Sequence, residues 1–142
     1  MERYRILPHP ADGKFRAFGA TGEEAFSNAA LAAASLMWDW WSIKNLRSIP
    51  VTVHGRDLEQ LLYKFLEEIL YLLDTQKFLL GSVEDLKIIE AAGGAFRLDA
   101  VLWGDEAGGR YEIFGDVKAV TYNEMKIEHG CDGWSVQVVV DM

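Results

Sequence analysis

The sequence has few of the residues on which several classes of protein depend. Cys131 is the only cysteine among 142 residues, so an intramolecular disulfide is excluded and a reducing compartment is favoured. Lysine and arginine number 14 against 22 aspartates and glutamates, which leaves a net charge of −8, and the chain has no basic run. Because binding to phosphates requires clustered cations, direct nucleic-acid binding is not expected. The acidity indicates either simple solubility or an encounter with a basic partner or a cation.

Further absences concern location and catalysis. The N-terminal segment lacks the apolar stretch of a signal peptide, and charges interrupt the apolar stretches, so we expect a cytoplasmic protein with no membrane span. No Walker loop, G-x-S-x-G motif or paired-cysteine motif is present, and no serine or cysteine nucleophile has a recognisable base beside it. The three histidines His9, His54 and His129 are scattered, which disfavours a zinc site.

Two amphipathic helices are predicted. Thr21 and Glu24 form a capping box at the start of the first helix, which we expect to end near Trp38. Asp57 is placed to cap the second helix, with Gln60 at the reciprocal position. The apolar residues of that helix recur at helical spacing: Leu58, Leu61, Leu62, Phe65, Leu66, Ile69, Leu70 and Leu73.

The remaining periodic segments predict strands. They are Arg3–Leu7, Lys14–Gly19, Ile49–Gly55, Val83–Glu90, Ala95–Trp103, Tyr111–Phe114, Asp116–Glu128 and Gly133–Val140. Glycine-rich turns separate the later strands, which is typical of antiparallel hairpins. The sequence therefore predicts one α+β domain over residues 1–142, a two-layer sandwich of two helices packed on a largely antiparallel β-sheet.

The two ends of the chain carry the candidate ligands of a metal ion. Asp12 lies in the Pro/Gly-bounded segment His9–Gly13, where it either caps a turn or offers the oxygen that calcium or magnesium prefers. The last strand runs through Val138–Val140 into Asp141 and the terminal carboxylate of Met142. If that strand lies beside the opening strand, the carboxylates of both ends converge. Because neighbouring carboxylates repel one another, a cation would stabilise such a cluster.

Three other features have two interpretations each. Lys118 in the apolar segment Val117–Tyr122 either protects a sheet edge or places its ammonium near a phosphate or the acidic cluster. His9 is either a turn residue or a partner behind the metal ligands. The Trp40-Trp41 pair is either an interface anchor or part of a small satellite core.

The chain resembles the archease family in a colinear set of segments that spans its whole length. The matching segments are His9–Asp12, Ala17–Gly19, Glu24–Phe26, Asn28–Ala30, Asp57–Glu59, Leu61–Tyr63, Phe65–Glu68, Leu72–Thr75, Val117–Tyr122 and Val138–Asp141. The order and spacing of the set carry the resemblance, since none of the segments is decisive alone.

The resemblance implies a non-catalytic activator of the RtcB-type RNA ligase. That ligase joins a 2′,3′-cyclic phosphate or 3′-phosphate end to a 5′-hydroxyl end in tRNA splicing and RNA repair. The resemblance further implies that the protein promotes ligase guanylylation and multiple turnover. It implies a metal site made of Asp12, Asp141 and Met142, usually assigned to calcium, with magnesium or manganese as alternatives. It associates Lys118 with the two aspartates in ligase activation.

This sequence departs from the family pattern at three positions. Pro10 replaces the usual threonine, Asn123 replaces a frequent histidine, and Met142 replaces the common terminal isoleucine. A ligand offered through a main-chain or terminal oxygen would survive the last change. The alternative hypothesis is a general chaperone-like or protein-binding module with an acidic interaction surface. A stand-alone metal-dependent hydrolase is disfavoured, because no water-activating set of residues is complete.

Overall fold

A computed structural model describes residues 2–9 and 12–142. The helices are α1 (Gly22–Ser35) and α2 (Leu58–Gln76). The strands are β1 (Tyr4–Leu7), β2 (Gly13–Gly19), β3 (Arg47–Gly55), β4 (Phe78–Glu90), β5 (Phe96–Glu106), β6 (Ala119–Val120), β7 (Lys126–Gly130) and β8 (Gly133–Asp141). Short 3-10 turns cover Trp40–Ser42 and Ala92–Gly94. Within the described ranges, no helix is both long and apolar enough to cross a membrane.

Local side-chain chemistry determines where both helices begin. The Thr21 hydroxyl accepts a hydrogen bond from the Glu24 amide at 3.1 Å, and the Asp57 carboxylate accepts one from the Gln60 amide at 2.8 Å. Each of these bonds satisfies an amide that has no partner within the helix. The Gln60 side chain accepts from the amide of Arg56, one residue before the position expected of a capping box. Both predicted helix starts are confirmed.

The first helix ends earlier than predicted. It stops at Ser35, and the chain then turns so that Trp38 is fully buried. The indole nitrogen of Trp38 donates a hydrogen bond to the carbonyl oxygen of Leu80 at 2.9 Å. Burial of this large side chain against β4 therefore takes precedence over a further turn of helix.

The α+β class is confirmed, with the strands divided between two antiparallel sheets. In the first sheet the order is β1-β2-β8-β6, and β7 pairs with the part of β8 that precedes the β6 pairing. In the second sheet the order is β3-β5-β4. Both helices contact both sheets, and their buried side chains form a core with the inner faces of the strands. The last strand therefore lies beside β2 and not beside the opening strand β1, which was the condition under which the two ends of the chain were expected to converge.

The chain between β5 and β7 also differs from the prediction. Tyr111–Phe114 forms no strand, because the Phe114 amide donates to the Met37 carbonyl at the end of α1 instead of to a neighbouring strand. Asp116–Glu128 is not one strand, since the backbone reverses in a turn at Tyr122–Met125. The result is a short β6, a turn and then β7.

Candidate functional site

The C-terminal end of β8 lies between two other strands. On one side, Gly13 at the start of β2 pairs with Val140. Continuing this antiparallel register by one residue brings Asp12 across from Asp141. The predicted convergence of Asp12 and Asp141 thus results from pairing with the second strand of the chain.

On the other side of β8, the β6 segment brings Lys118 to the same end of the sheet. Ala119 pairs with Asp141, and the Lys118 amide donates to the Asp141 carbonyl oxygen at 2.8 Å. The side chains of Lys118 and Asp141 are exposed, and that of Asp12 is partly exposed. Asp12, Asp141 and Lys118, from three distant parts of the sequence, therefore lie at one end of the first sheet, which we name the acidic sheet end.

Met142 is held by its side chain. A Cβ atom added to Gly13 would lie 2.9 Å from the Met142 sulfur and 2.9 Å from Cδ1 of Leu36, which shows how closely these side chains cover that glycine. The Met142 side chain also packs against the core cluster. This contact anchors the last residue, while Asp141 before it faces solvent.

A hydrogen-bonded network next to Asp12 was missed by sequence reasoning. The Glu124 carboxylate accepts from the Lys14 ammonium at 3.0 Å, and its other oxygen lies 3.2 Å from Nε2 of His9. The Nδ1 atom of His9 lies 3.8 Å from the Asp12 carboxylate. Hydrogen bonds from Lys14 first and His9 second lower the pKa of Glu124 below its ordinary value. His9 therefore links Asp12 to Glu124.

The main chain of Glu124 is also held in place, by a hydrogen bond from a side chain of β8. Glu124 adopts a left-handed conformation, with φ of 53°. Its carbonyl oxygen accepts from the buried side-chain amide of Gln137 at 2.8 Å, and the oxygen of that amide accepts from Arg16 at 2.7 Å. No local signal could have revealed this arrangement, since Glu124 lies more than a hundred residues from its ion-pair partners.

The donor atoms at the acidic sheet end fit a hard cation better than a soft one. Asp12 and Asp141 offer carboxylate oxygens, which are the donors that calcium and magnesium prefer. Across residues 2–9 and 12–142, no group of three or more His, Cys, Asp or Glu side chains is arranged to hold a metal ion. Any cation here would therefore depend on main-chain or terminal oxygens in addition to the two aspartates, and its identity stays a prediction.

The Trp40-Trp41 pair has two different environments. The indole nitrogen of Trp40 donates to the Tyr4 hydroxyl at 2.9 Å, and the Arg3 guanidinium lies 5.5 Å from the ring centroid of Trp40. Trp41 is 63% exposed and meets Trp40 edge-on. Trp40 thus packs against the main core beside β1, and Trp41 is the exposed member of the pair that is available as a surface anchor.

The fold is that of an α+β protein in which two helices pack on two antiparallel sheets. Two acids and a lysine lie at the end of β8, the last strand. The family model described as "Archease protein family (MTH1598/TM1083)" matches residues 4–142. The chain belongs to the archease family.

Individual relatives agree over nearly their full length. The chain is 42% identical to "Protein archease" of Pyrobaculum neutrophilum over 141 residues, which covers 98% of this chain and 95% of that one. It is 39% identical to "Protein archease" of Pyrococcus furiosus over 145 residues, with both chains fully covered. The solution structure of Methanobacterium thermoautotrophicum protein 1598 matches with a TM-score of 0.85 at 29% identity and also covers both chains fully.

Proposed function

We propose that this protein is a non-catalytic, cytoplasmic activator of an RtcB-type RNA ligase. In this role it promotes ligase guanylylation and multiple turnover during tRNA splicing or RNA repair. Membership of the archease family supports the proposal. The observation that carries it is the acidic sheet end, because strand pairing places Asp12, Asp141 and Lys118 of three chain segments at the same end of one sheet.

Each residue has a separate task in this proposal. Asp12, Asp141 and the terminal carboxylate of Met142 would hold a divalent cation, with calcium preferred and magnesium or manganese as alternatives. Such a cation supplies positive charge beside nucleotide phosphates. The exposed ammonium of Lys118 offsets phosphate charge from the same end of the sheet. His9 orients Asp12 through its contacts on both sides. Because this protein has a net charge of −8, the ligase and not this protein binds the RNA in this proposal.

The test uses purified ligase and measures its guanylylation and the ligated RNA formed per ligase molecule. Asp12→Asn, Asp141→Asn and Lys118→Met should each lower the stimulation about tenfold or more, as expected when an electrostatic contact to a reacting centre is removed. The matched control is Asp132→Asn, an exposed acid in the turn at the opposite end of β8, which should stimulate like the wild type. Asp12→Asn and Asp141→Asn proteins that fold and stimulate the ligase fully would exclude the mechanism.

The cation is tested apart from activity. Calorimetric titration with Ca²⁺, Mg²⁺ or Mn²⁺ should show binding to the wild-type protein, which Asp12→Asn and Asp141→Asn weaken and Asp132→Asn preserves. Equal binding by all four proteins would place the cation elsewhere.

The exposure of Trp41 is the observation that favours a general protein-binding module. Affinity capture from a lysate separates the two functions. One dominant ligase partner supports the activator, and many unrelated clients that are lost in Trp41→Ser support the module.

A further inference from the structure

One consecutive pair of large apolar side chains is exposed on this protein. Ile113 is 46% exposed and Phe114 is 54% exposed, and within residues 2–9 and 12–142 no other two neighbouring large apolar residues are both exposed. They lie on the connection between β5 and β6, which has no helix or strand before Ala119. The exposed acids Glu112 and Asp116 flank them. We name Ile113 and Phe114 the apolar patch.

The main chain under the apolar patch is held firmly. The Phe114 amide donates to the Met37 carbonyl oxygen at 2.9 Å. A Cβ atom on the next residue, Gly115, would lie only 2.1 Å from the carbonyl oxygen of Leu36. Val117 is buried two residues further on. The patch is thus fixed against the end of α1 while its side chains face solvent, so little conformational entropy would be lost when a partner covers it.

The apolar patch adjoins the acidic sheet end. Leu36 contacts Gly115 through its carbonyl oxygen, and its side chain covers Gly13, the residue after Asp12. In the other direction, Lys118 follows Phe114 by four residues and is bonded through its amide to Asp141. A partner that covers the patch would therefore have the acidic sheet end beside its binding site.

We propose that the apolar patch is the anchor by which this protein docks on the ligase, and that Phe114 enters an apolar groove whose rim carries lysine or arginine. This inference rests on the proposed function. Charge complementarity favours the ligase as the partner that covers the patch. The exposed acids Glu112 and Asp116 border the patch on a protein of net charge −8. An enzyme that binds RNA carries positive charge on its RNA-binding surface. An apolar centre with a charged rim is the usual anatomy of a specific interface.

The experiment measures the affinity of each variant for the purified RtcB-type ligase of the same organism. Phe114→Ser and Ile113→Ser should each weaken binding, Phe114→Ser by about tenfold or more, as for a central interface anchor. Leu46→Ser is the matched control, because Leu46 is 66% exposed in a different segment, just before β3, and this variant should bind unchanged. Glu112→Lys should slow association and reduce its dependence on salt. Guanylylation should recover at high concentrations of Phe114→Ser, since the acidic sheet end is intact.

The outcomes separate this inference from the function on which it rests. If the wild type stimulates the ligase and the double variant Ile113→Ser/Phe114→Ser binds as tightly as the wild type, the docking site is refuted and the function stands. If Leu46→Ser weakens binding as much as Phe114→Ser, the patch has no special role and the inference is also refuted. If the wild type neither binds nor stimulates the ligase, both proposals fail.

Discussion

Replacing Gly115 with alanine tests whether the segment before Lys118 is seated on the end of α1. The added methyl group would lie 2.1 Å from the Leu36 carbonyl oxygen, whereas side-chain carbons do not approach other heavy atoms closer than 3.0 Å. The obstructing atom belongs to the backbone, so rotation of a side chain cannot relieve the clash. The segment must therefore move away from the helix by about 1 Å, a shift large enough to break close packing.

The expected cost follows from two contributions. Overpacking a close contact costs about 1–3 kcal/mol. The same displacement weakens the bond from the Phe114 amide to the Met37 carbonyl, which contributes about 0.5–1.5 kcal/mol net. We expect Gly115→Ala to lower the free energy of unfolding by about 1.5–4.5 kcal/mol.

Urea unfolding followed by tryptophan fluorescence measures this loss. Gly130→Ala is the control, since no heavy atom lies within 4 Å of a Cβ at that position and its φ is not in the left-handed region. It should change the free energy of unfolding by no more than about 0.5 kcal/mol. If Gly115→Ala is as stable as the wild type, the close packing of this segment against the end of α1 is refuted. A variant that is destabilised and still binds the ligase normally would instead count against the apolar patch as the docking site.

Two further predictions concern the core and the network around Glu124. Trp38→Phe should lower the free energy of unfolding by about 1–3 kcal/mol, because the buried Leu80 carbonyl loses its indole donor; a denaturant midpoint equal to that of the wild type would contradict this. The pKa of Glu124 is lowered in the folded state, so its stabilising effect is present above the unfolded-state pKa and is lost as the pH falls through the folded-state value. The stability difference between the wild type and Glu124→Gln should therefore shrink in acid, and a difference that is constant with pH in urea titrations would disprove the role of the ionised carboxylate.

Features that depend on neighbouring residues were predictable from the sequence. The caps at Thr21 and Asp57 are bonds across three residues, so residue types and spacing suffice to locate them. Alternation likewise predicted β2, in which Phe15 and Ala17 face the core. The approach of the two ends of the chain was a different case, because it was inferred only on the condition that β8 lies beside the opening strand, and β8 pairs with β2 instead.

Features that depend on distant contacts were not predictable. Tyr111–Phe114 has the aromatic and branched residues of a strand, but its backbone bonds to the end of α1. Glu124 has no distinguishing neighbours, and its importance comes from His9 and Lys14 at the other end of the chain. In both cases tertiary contacts override the local preference, and one sequence carries no record of them.

The acidic sheet end and the apolar patch share one support. Leu36, the residue after α1, covers Gly13 with its side chain and receives Gly115 against its carbonyl oxygen. Gly13, the residue after Asp12, and the segment that leads to Lys118 are therefore positioned against the same residue. Because that residue follows a helix buried against both sheets, the relative placement of the two surfaces is fixed by the core. If the protein activates a ligase as proposed, a partner that binds Phe114 would meet the acidic sheet end in a fixed geometry, which suits an activator that contributes no catalytic groups of its own.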